Sequence, residues 1–170
     1  MIYVRKATTN DLDKIMTIID EARIFLHKNH VPQWQDEYPA RKDIQTDLNN
    51  QNGYVLIYDN QIAGYAVLQT TPEPTYSVIE KGAWKSSKSY ATLHRLAVSA
   101  DFRGKNLAAF FMSNLITLAL DKGFNVIRCD THPQNKIMQH LAEKSGFEKR
   151  GIIKVDEPMD PTRFAYELII

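Results

Sequence analysis

The stretch from Tyr90 to His132 constrains the fold more than any other. "YATLHRLAVSA" is rich in β-forming residues, "DFRGKNLA" (Asp101 to Ala108) is a short basic loop, "LAAFFMSNLITLAL" is a long apolar run, and "FNVIRCDTH" is β-rich again. The pattern predicts a strand, a helix from about Gly104 to Lys122, and a second strand, an order that favours parallel neighbours joined by a helical crossover. The apolar run of the second strand implies burial on both faces, which places it centrally in the sheet. Cys129 within it reads as a small buried hydrophobe.

The flanks extend the same architecture. "IYVRKA" alternates as a strand does, and Thr8 or Thr9 then caps a helix whose first turn holds Asp11 and Asp13. Leu12, Ile15, Met16, Ile19, Ala22 and Leu26 recur at three and four residues and give that helix an apolar stripe down to about His27. "KNHVPQWQDEYPA" breaks the pattern with two prolines, and "RKDIQTDLNNQNG" reads as a short helix stopped at Gly53. "YVLIYDNQIAGYAVLQTT" is a hairpin turning at Asp59 and Asn60. Pro72 to Ser89 is loop-like, with a short helical turn in "YSVIEKGAW". "NKIMQHLAEKSGF" is a helix closed by Gly146, and "FEKRGIIKV" and "TRFAYELII" add two strands. The order β, α, α, β, β, β, α, β, α, β, β predicts one α/β domain over residues 1–170, a mixed and mostly antiparallel sheet of six to seven strands with helices on both faces.

Bulk properties exclude whole classes of function. With 21 Lys and Arg against 20 Asp and Glu, the net charge of +1 gives no field to draw the chain to nucleic acid or to a membrane surface. The start lacks a secretory h-region and no apolar stretch approaches the ~20 residues that span a bilayer, so a cytoplasmic protein is expected. A single cysteine leaves no internal disulfide and no multi-cysteine metal cluster, and no metal is expected.

Two readings compete for "DFRGKNLA". A strand, a short loop and a helix start form the arrangement in which backbone N–H groups converge on a phosphate, with Gly104 permitting close approach and Arg103 and Lys105 adding charge. The same residues are common in solvated turns. Only one glycine is present, which excludes the P-loop and dinucleotide fingerprints.

The surroundings of the loop resemble the GCN5-related N-acetyltransferase (GNAT) superfamily. The family carries a strand ending in Leu-x-Val, a Gln/Arg-x-x-Gly-x-Gly/Ala loop, a helix, a strand, and an Asn opening a helix that closes in Gly-Phe. Here these are Leu96 and Val98, the Asp101 to Asn106 loop, and Asn135 through Gly146 and Phe147. Asp101 and Asn106 depart from the pattern, and Asn is the least disruptive side chain where a left-handed backbone is needed. The resemblance implies an acetyl-CoA-dependent N-acetyltransferase. In it Arg103, Gly104, Lys105, Asn106, Leu107 and Ala108 hold the pyrophosphate of coenzyme A, the backbones of Leu96, Ala97 and Val98 run along the pantetheine arm, and Asn135 and Met138 border the cofactor.

Acetyl transfer from a thioester to an amine has unequal needs. An amine of pKa near 10.4 costs about 4 to 5 kcal/mol to deprotonate at pH 7, whereas a thiolate of pKa about 8.5 leaves with a deficit of about 2 kcal/mol. A base therefore matters more than an acid. His94, on the strand leading to the acetyl position and expected to alternate with Arg95, is either that base or a histidine hydrogen-bonded within the sheet face. His132, in "DTHPQN", reads as a loop cap. The tyrosine that serves many relatives as the acid falls seven residues after the Asn, where this chain has Ala142, leaving water, Tyr166 or another group. The family's acceptor pocket maps to "HVPQWQDEYP" and "YSVIEKGAW", whose Trp34, Tyr38, Trp84 and Glu37 either cradle a cationic amine or pack the loops onto the core.

The expected reaction is direct transfer to a primary amine of a small molecule or peptide. Ala142 and the altered loop also admit a non-catalytic acyl-CoA-binding domain. The apolar "TRFAYELII" allows pairing of two copies through the last strands.

Overall fold

A computed structural model describes residues 1–170. Seven strands, β1 (Ile2–Lys6), β2 (Gly53–Tyr58), β3 (Gln61–Gln69), β4 (Ala91–Val98), β5 (Val126–Thr131), β6 (Glu148–Lys154) and β7 (Thr162–Ile169), form one sheet in the order β1-β2-β3-β4-β5-β7-β6. Only β4 and β5 pair in parallel, and they are the two strands joined through a helical crossover. The mixed, mostly antiparallel sheet expected from the sequence is what forms.

Helices α1 (Leu12–Lys28) and α2 (Arg41–Asn49) cover one face, and α3 (Leu107–Asp121) and α4 (Lys136–Lys144) cover the other. The α1 stripe buries Leu12, Ile15, Ile18, Ile19 and Leu26 against Val55, Ile57, Tyr65 and Val67 of the sheet. On the opposite face Phe111, Met112, Leu115 and Ala119 of α3 pack on Leu56, Ala66, Leu68 and Leu93, in a cluster that also takes in Cys129. At about 25 cal/mol per Å² of apolar surface removed from water, these two clusters are the main source of stability. Asp59 and Asn60 both adopt positive φ, 47° and 63°, the two-residue hairpin turn whose twist suits the flanking strands.

Three boundaries differ from the sequence reading. Gly53 does not stop α2: the helix ends at Asn49, Gln51 takes the left-handed conformation (φ 56°), and Gly53 opens β2. A Cβ on Gly53 would meet Tyr65 and Leu48 at 3.1 to 3.2 Å, so packing explains this glycine. α3 begins at Leu107 rather than Gly104, because Gly104 (φ 79°) and Asn106 (φ 55°) take positive-φ conformations that a right-handed helix cannot include. The short turn of the long connection lies at Pro74–Ser77.

Two irregularities of β4 prepare the site. Its pairing with β5 stops after Ala91–Ile127 and Thr92–Arg128, so from Leu93 onward the two strands diverge. On its other edge, β3 pairs Val67 with His94 and Tyr65 with Ala97, so Arg95 and Leu96 together oppose Ala66. This is a β-bulge, with Arg95 at φ 54°. His94 and Arg95, expected to alternate, therefore both face the α1–α2 side, and Leu96 returns to the α3 side.

Candidate active site

The divergence of β4 from β5 opens an apolar cleft of about 550 Å³, bounded by Leu93–Val98, the 102–108 loop, Phe25 and Leu26 of α1, and Asn135, Met138 and Leu141 around α4. Ser99 and Ala100 fix the loop: Ser99 N–H donates to the Ala63 carbonyl (2.8 Å), and Ala100 N–H to the Glu21 carboxylate (2.8 Å). Glu21 is thus a brace for the loop. Gly104 has φ +79°, and Asn106 has φ +55°, the left-handed conformation for which Asn is tolerated.

The outcome is a run of unused donors. The N–H groups of Gly104, Lys105, Asn106, Leu107, Ala108 and Ala109 find no acceptor in the chain, and the first bond returning into the helix is Phe110 N–H to the Asn106 carbonyl (3.4 Å). Orphan donors at a helix start, together with the positive end of its dipole, are the chemistry that can receive a phosphate-like anion. The nearby cations are held in position by aromatic faces. The Arg103 guanidinium lies 4.4 Å from the Phe25 ring centroid and the Lys105 ammonium 4.5 Å from that of Tyr58. Of the two, only Arg103 lines the cleft.

A second cavity of about 370 Å³ adjoins the first, sharing Gln33, Trp34, His94 and Arg95 with it. Its wall is charged. Asp43, Glu73, Asp130, Asp156 and Glu157 contribute carboxylates, and Arg95 and Arg163 contribute guanidiniums.

His94 stands at the junction of the two. Its Nε2 lies 3.2 Å from Oε2 of Glu73, off the line of a hydrogen bond and buried from solvent. The neighbouring imidazole, helped by the Thr75 N–H and hydroxyl, holds the Glu73 carboxyl down at about 2. Glu73 is therefore an anion throughout the physiological range. Arg95 donates to Asp47 (3.1 Å) and to the Tyr38 hydroxyl (2.9 Å), and burial pushes Tyr38 up to about 12. Asp47 also accepts from the buried Tyr65 hydroxyl (3.1 Å).

His132 does other work. Its Nδ1 accepts from the Gln134 N–H (3.1 Å), so Nε2 carries the hydrogen and donates to Asp160 (2.8 Å), whose carboxyl is held at about 2 by that bond. Asn135 caps α4 through the Met138 N–H (3.2 Å) and donates to Gln33 (3.1 Å), tying the α1–α2 loop to α4.

The structure brings most of the sequence-predicted residues together. Leu96, Ala97, Val98, Arg103, Gly104, Asn106, Leu107, Ala108, Asn135 and Met138 border the apolar cleft, Trp34 borders both cavities, and Tyr38 borders the acidic one. Glu37 and Trp84 border neither. Glu37 is exposed on the α1–α2 loop, while Trp84 stacks on the Arg128 guanidinium (4.1 Å) and donates to the Tyr76 carbonyl (2.9 Å). Tyr166 also lies elsewhere, its buried hydroxyl bonded to Glu143 (3.3 Å). Ala142 is 1% exposed and faces the α3–α4 core rather than the cleft. Gln33, Glu73, Asp130, Asp156, Glu157 and Arg163 were not foreseen. Only Arg163 left a trace: with Ala165 and Glu167 it forms the inward row of β7, a place where charge demands a partner.

Residues 16–147 match the model of the acetyltransferase (GNAT) family. A GNAT-family acetyltransferase from Streptococcus agalactiae is 37% identical over 99% of this chain and 95% of its own, with a TM-score of 0.89. One from Listeria monocytogenes is 20% identical over 99% and 95% of the two chains (TM-score 0.75), and the PaiA N-acetyltransferase of Thermoplasma acidophilum, solved with coenzyme A, is 16% identical over 100% and 99% (TM-score 0.70). These two share the fold. The search of curated proteins found no match. The chain belongs to the GNAT acetyltransferase family.

Proposed function

We propose that the protein is an acetyl-CoA-dependent N-acetyltransferase that passes the acetyl group directly to a primary amine of a small molecule or peptide. The observation that carries this reading is the meeting of two unlike cavities at His94: one apolar and bordered by the loop whose backbone donors are unused, the other walled by carboxylates.

The residues fit the cofactor. The free N–H groups from Gly104 to Ala108, with Arg103 beside them, suit a pyrophosphate, and the unpaired edge of β4 from Leu96 to Val98 offers hydrogen bonds to a pantetheine arm. When bound, acetyl-CoA supplies an activated acyl carbon. Everything else falls to the chain. The apolar lining from Leu93, Leu96, Met138 and Leu141 excludes water from the reacting thioester. His94 takes the proton that the acceptor amine must lose, with the Glu73 carboxylate placing negative charge beside the ring. Tyr38 and Trp34 flank the approach of the amine. Ala142 is in the core and the Tyr166 hydroxyl is bonded to Glu143, so neither position supplies an acid to the cleft; protonating a thiolate is the less demanding of the two proton transfers.

The test is thiol release from acetyl-CoA across a panel of amines. His94→Ala is expected to lower kcat/KM by about 10² to 10⁴ and to remove the part of its pH dependence that the base sets. A variant that keeps full rate at every pH removes His94 from the mechanism. Ala142 also favours a second reading, a non-catalytic acyl-CoA-binding domain. Coenzyme A binding in calorimetry without thiol release from any amine would select it.

A further inference from the structure

The two guanidiniums of the acidic cavity are already spoken for by the protein. Arg95 is neutralised by Asp47, which lies behind the cavity wall, and is bonded to Tyr38. Arg163, 1% exposed, sits between Glu157 (Nη2 to Oε2, 2.6 Å) and Asp130 (Nε to Oδ1, 3.9 Å), with Nη1 bound to the Asp160 and Thr162 carbonyls. No cation in the wall is left over for a carboxylate. With Arg95 matched by Asp47 outside the wall, only Arg163 stands against the five wall carboxylates, so four negative charges remain without a guanidinium partner. Asp43 spends one oxygen on the Ala40 N–H (2.7 Å), Glu73 faces His94, and Asp156 makes no hydrogen bond at all.

Shape narrows the occupant further. The cavity lies within the ~300–1,000 Å³ typical of small-molecule sites. The α1–α2 loop and the β6–β7 loop close on each other at its rim: Trp34 N–H donates to Glu157 (3.2 Å), and Met159 N–H donates to Asp36 (3.2 Å). A peptide would have to pass beneath that clasp. Nη2 of Arg163 faces the cavity off the line of a hydrogen bond, but the Glu157 carboxylate 2.6 Å away already neutralises it, so it is not free for a ligand carboxylate.

We infer that the acceptor is a small di- or polyamine: one amino group reacts beside His94, and a second, still an ammonium, is held by the carboxylates around Asp156 and Glu157. The inference rests on the proposed transferase reading and sharpens it to a substrate class. It predicts discrimination by the distal end of the acceptor alone, because the reacting ends of such amines are alike.

The test uses three acceptors of one chain length: 1,4-diaminobutane, butylamine and 4-aminobutanoate. Thiol release is expected to give kcat/KM highest for the diamine, about tenfold or more below it for butylamine, and lowest for 4-aminobutanoate, whose carboxylate meets like charge. Asp156→Asn, at an exposed position, narrows the diamine's advantage about two- to fivefold, and raised salt narrows it too. Equal rates for diamine and butylamine, a preference for 4-aminobutanoate, or a basic peptide outpacing every small diamine would overturn the inference. Calorimetric titration of 1,4-diaminobutane onto the wild type and Asp156→Asn, with coenzyme A present, decides the case in which no amine releases thiol. Binding weakened by Asp156→Asn then keeps the polyamine site while the transferase reading fails. Absence of binding overturns the site as well.

Discussion

The two cavities are built from different materials. The apolar cleft takes its chemistry from the main chain: donors at the start of α3 and the unpaired edge of β4, set by one glycine, one left-handed Asn and a strand divergence. The acidic cavity takes its chemistry from side chains carried by the α1–α2 loop, α2, the turn after β3, β4, β5 and the β6–β7 segment. Main-chain chemistry tolerates substitution of most side chains around it. Side-chain chemistry changes with each one, so under the proposed function the acidic cavity is the side on which substitutions change the acceptor.

Removing a cation from the acidic side is the strongest way to break that contrast. Arg163→Met strands Glu157 and Asp130, and is expected to cost about 3–5 kcal/mol of stability in denaturant titrations. At a temperature where the variant stays folded, coenzyme A affinity should hold within about threefold. A collapse of both would show that the cavities are one unit.

The converse substitution acts on the other side. Gly104 has φ +79° and nothing within 4 Å of an added Cβ, so Gly104→Val meets conformational strain rather than a clash. Strain of about 1–2 kcal/mol should weaken coenzyme A about five- to thirtyfold in calorimetry, with the KM for the amine unchanged.

Acid should loosen the fold through its depressed carboxyls. Glu73 is held at about 2 by His94, Asp160 by His132 and Asp11 by Arg5, below their ordinary values of 4.5, 3.8 and 3.8. A carboxyl depressed in the folded state adds stability above its ordinary value and loses it as pH falls toward the folded value. The denaturation midpoint should therefore drop between about pH 4.5 and pH 2, and Asp160→Asn should make the drop shallower. The smallest effect is expected at Asn106. Changing it to Gly relieves the left-handed backbone but frees the unfolded chain, so the two effects should cancel to within about 0.5 kcal/mol of stability.

Legibility follows the same division. Periodicity and turn residues carry the order of elements from β1 to β7, and the loop before α3 stands out because a glycine, two cations and a helix start are contiguous. The acidic cavity is not contiguous. Glu73 and His94 are 21 residues apart and meet only because β3 and β4 pair antiparallel beside the turn at Pro74–Ser77. Trp84 and Glu37 looked like acceptor residues because aromatics and acids in loops suit an amine. Arg128 claims Trp84, and solvent claims Glu37. The pairing of His94 with Arg95 on one face was hidden for another reason: no side-chain pattern announces a bulge whose extra residue is an arginine.

That extra residue is inserted without disturbing the strand around it. Were Arg95 deleted, Leu93, His94, Leu96, Ala97 and Val98 would alternate simply, and each would keep the face it occupies now. A one-codon loss at this point would thus keep the apolar residues of β4 on their present faces, but it would strand the buried Asp47 carboxylate and the Tyr38 hydroxyl and alter how β4 meets β3. What holds the extra residue in the strand is therefore its charge and not its packing.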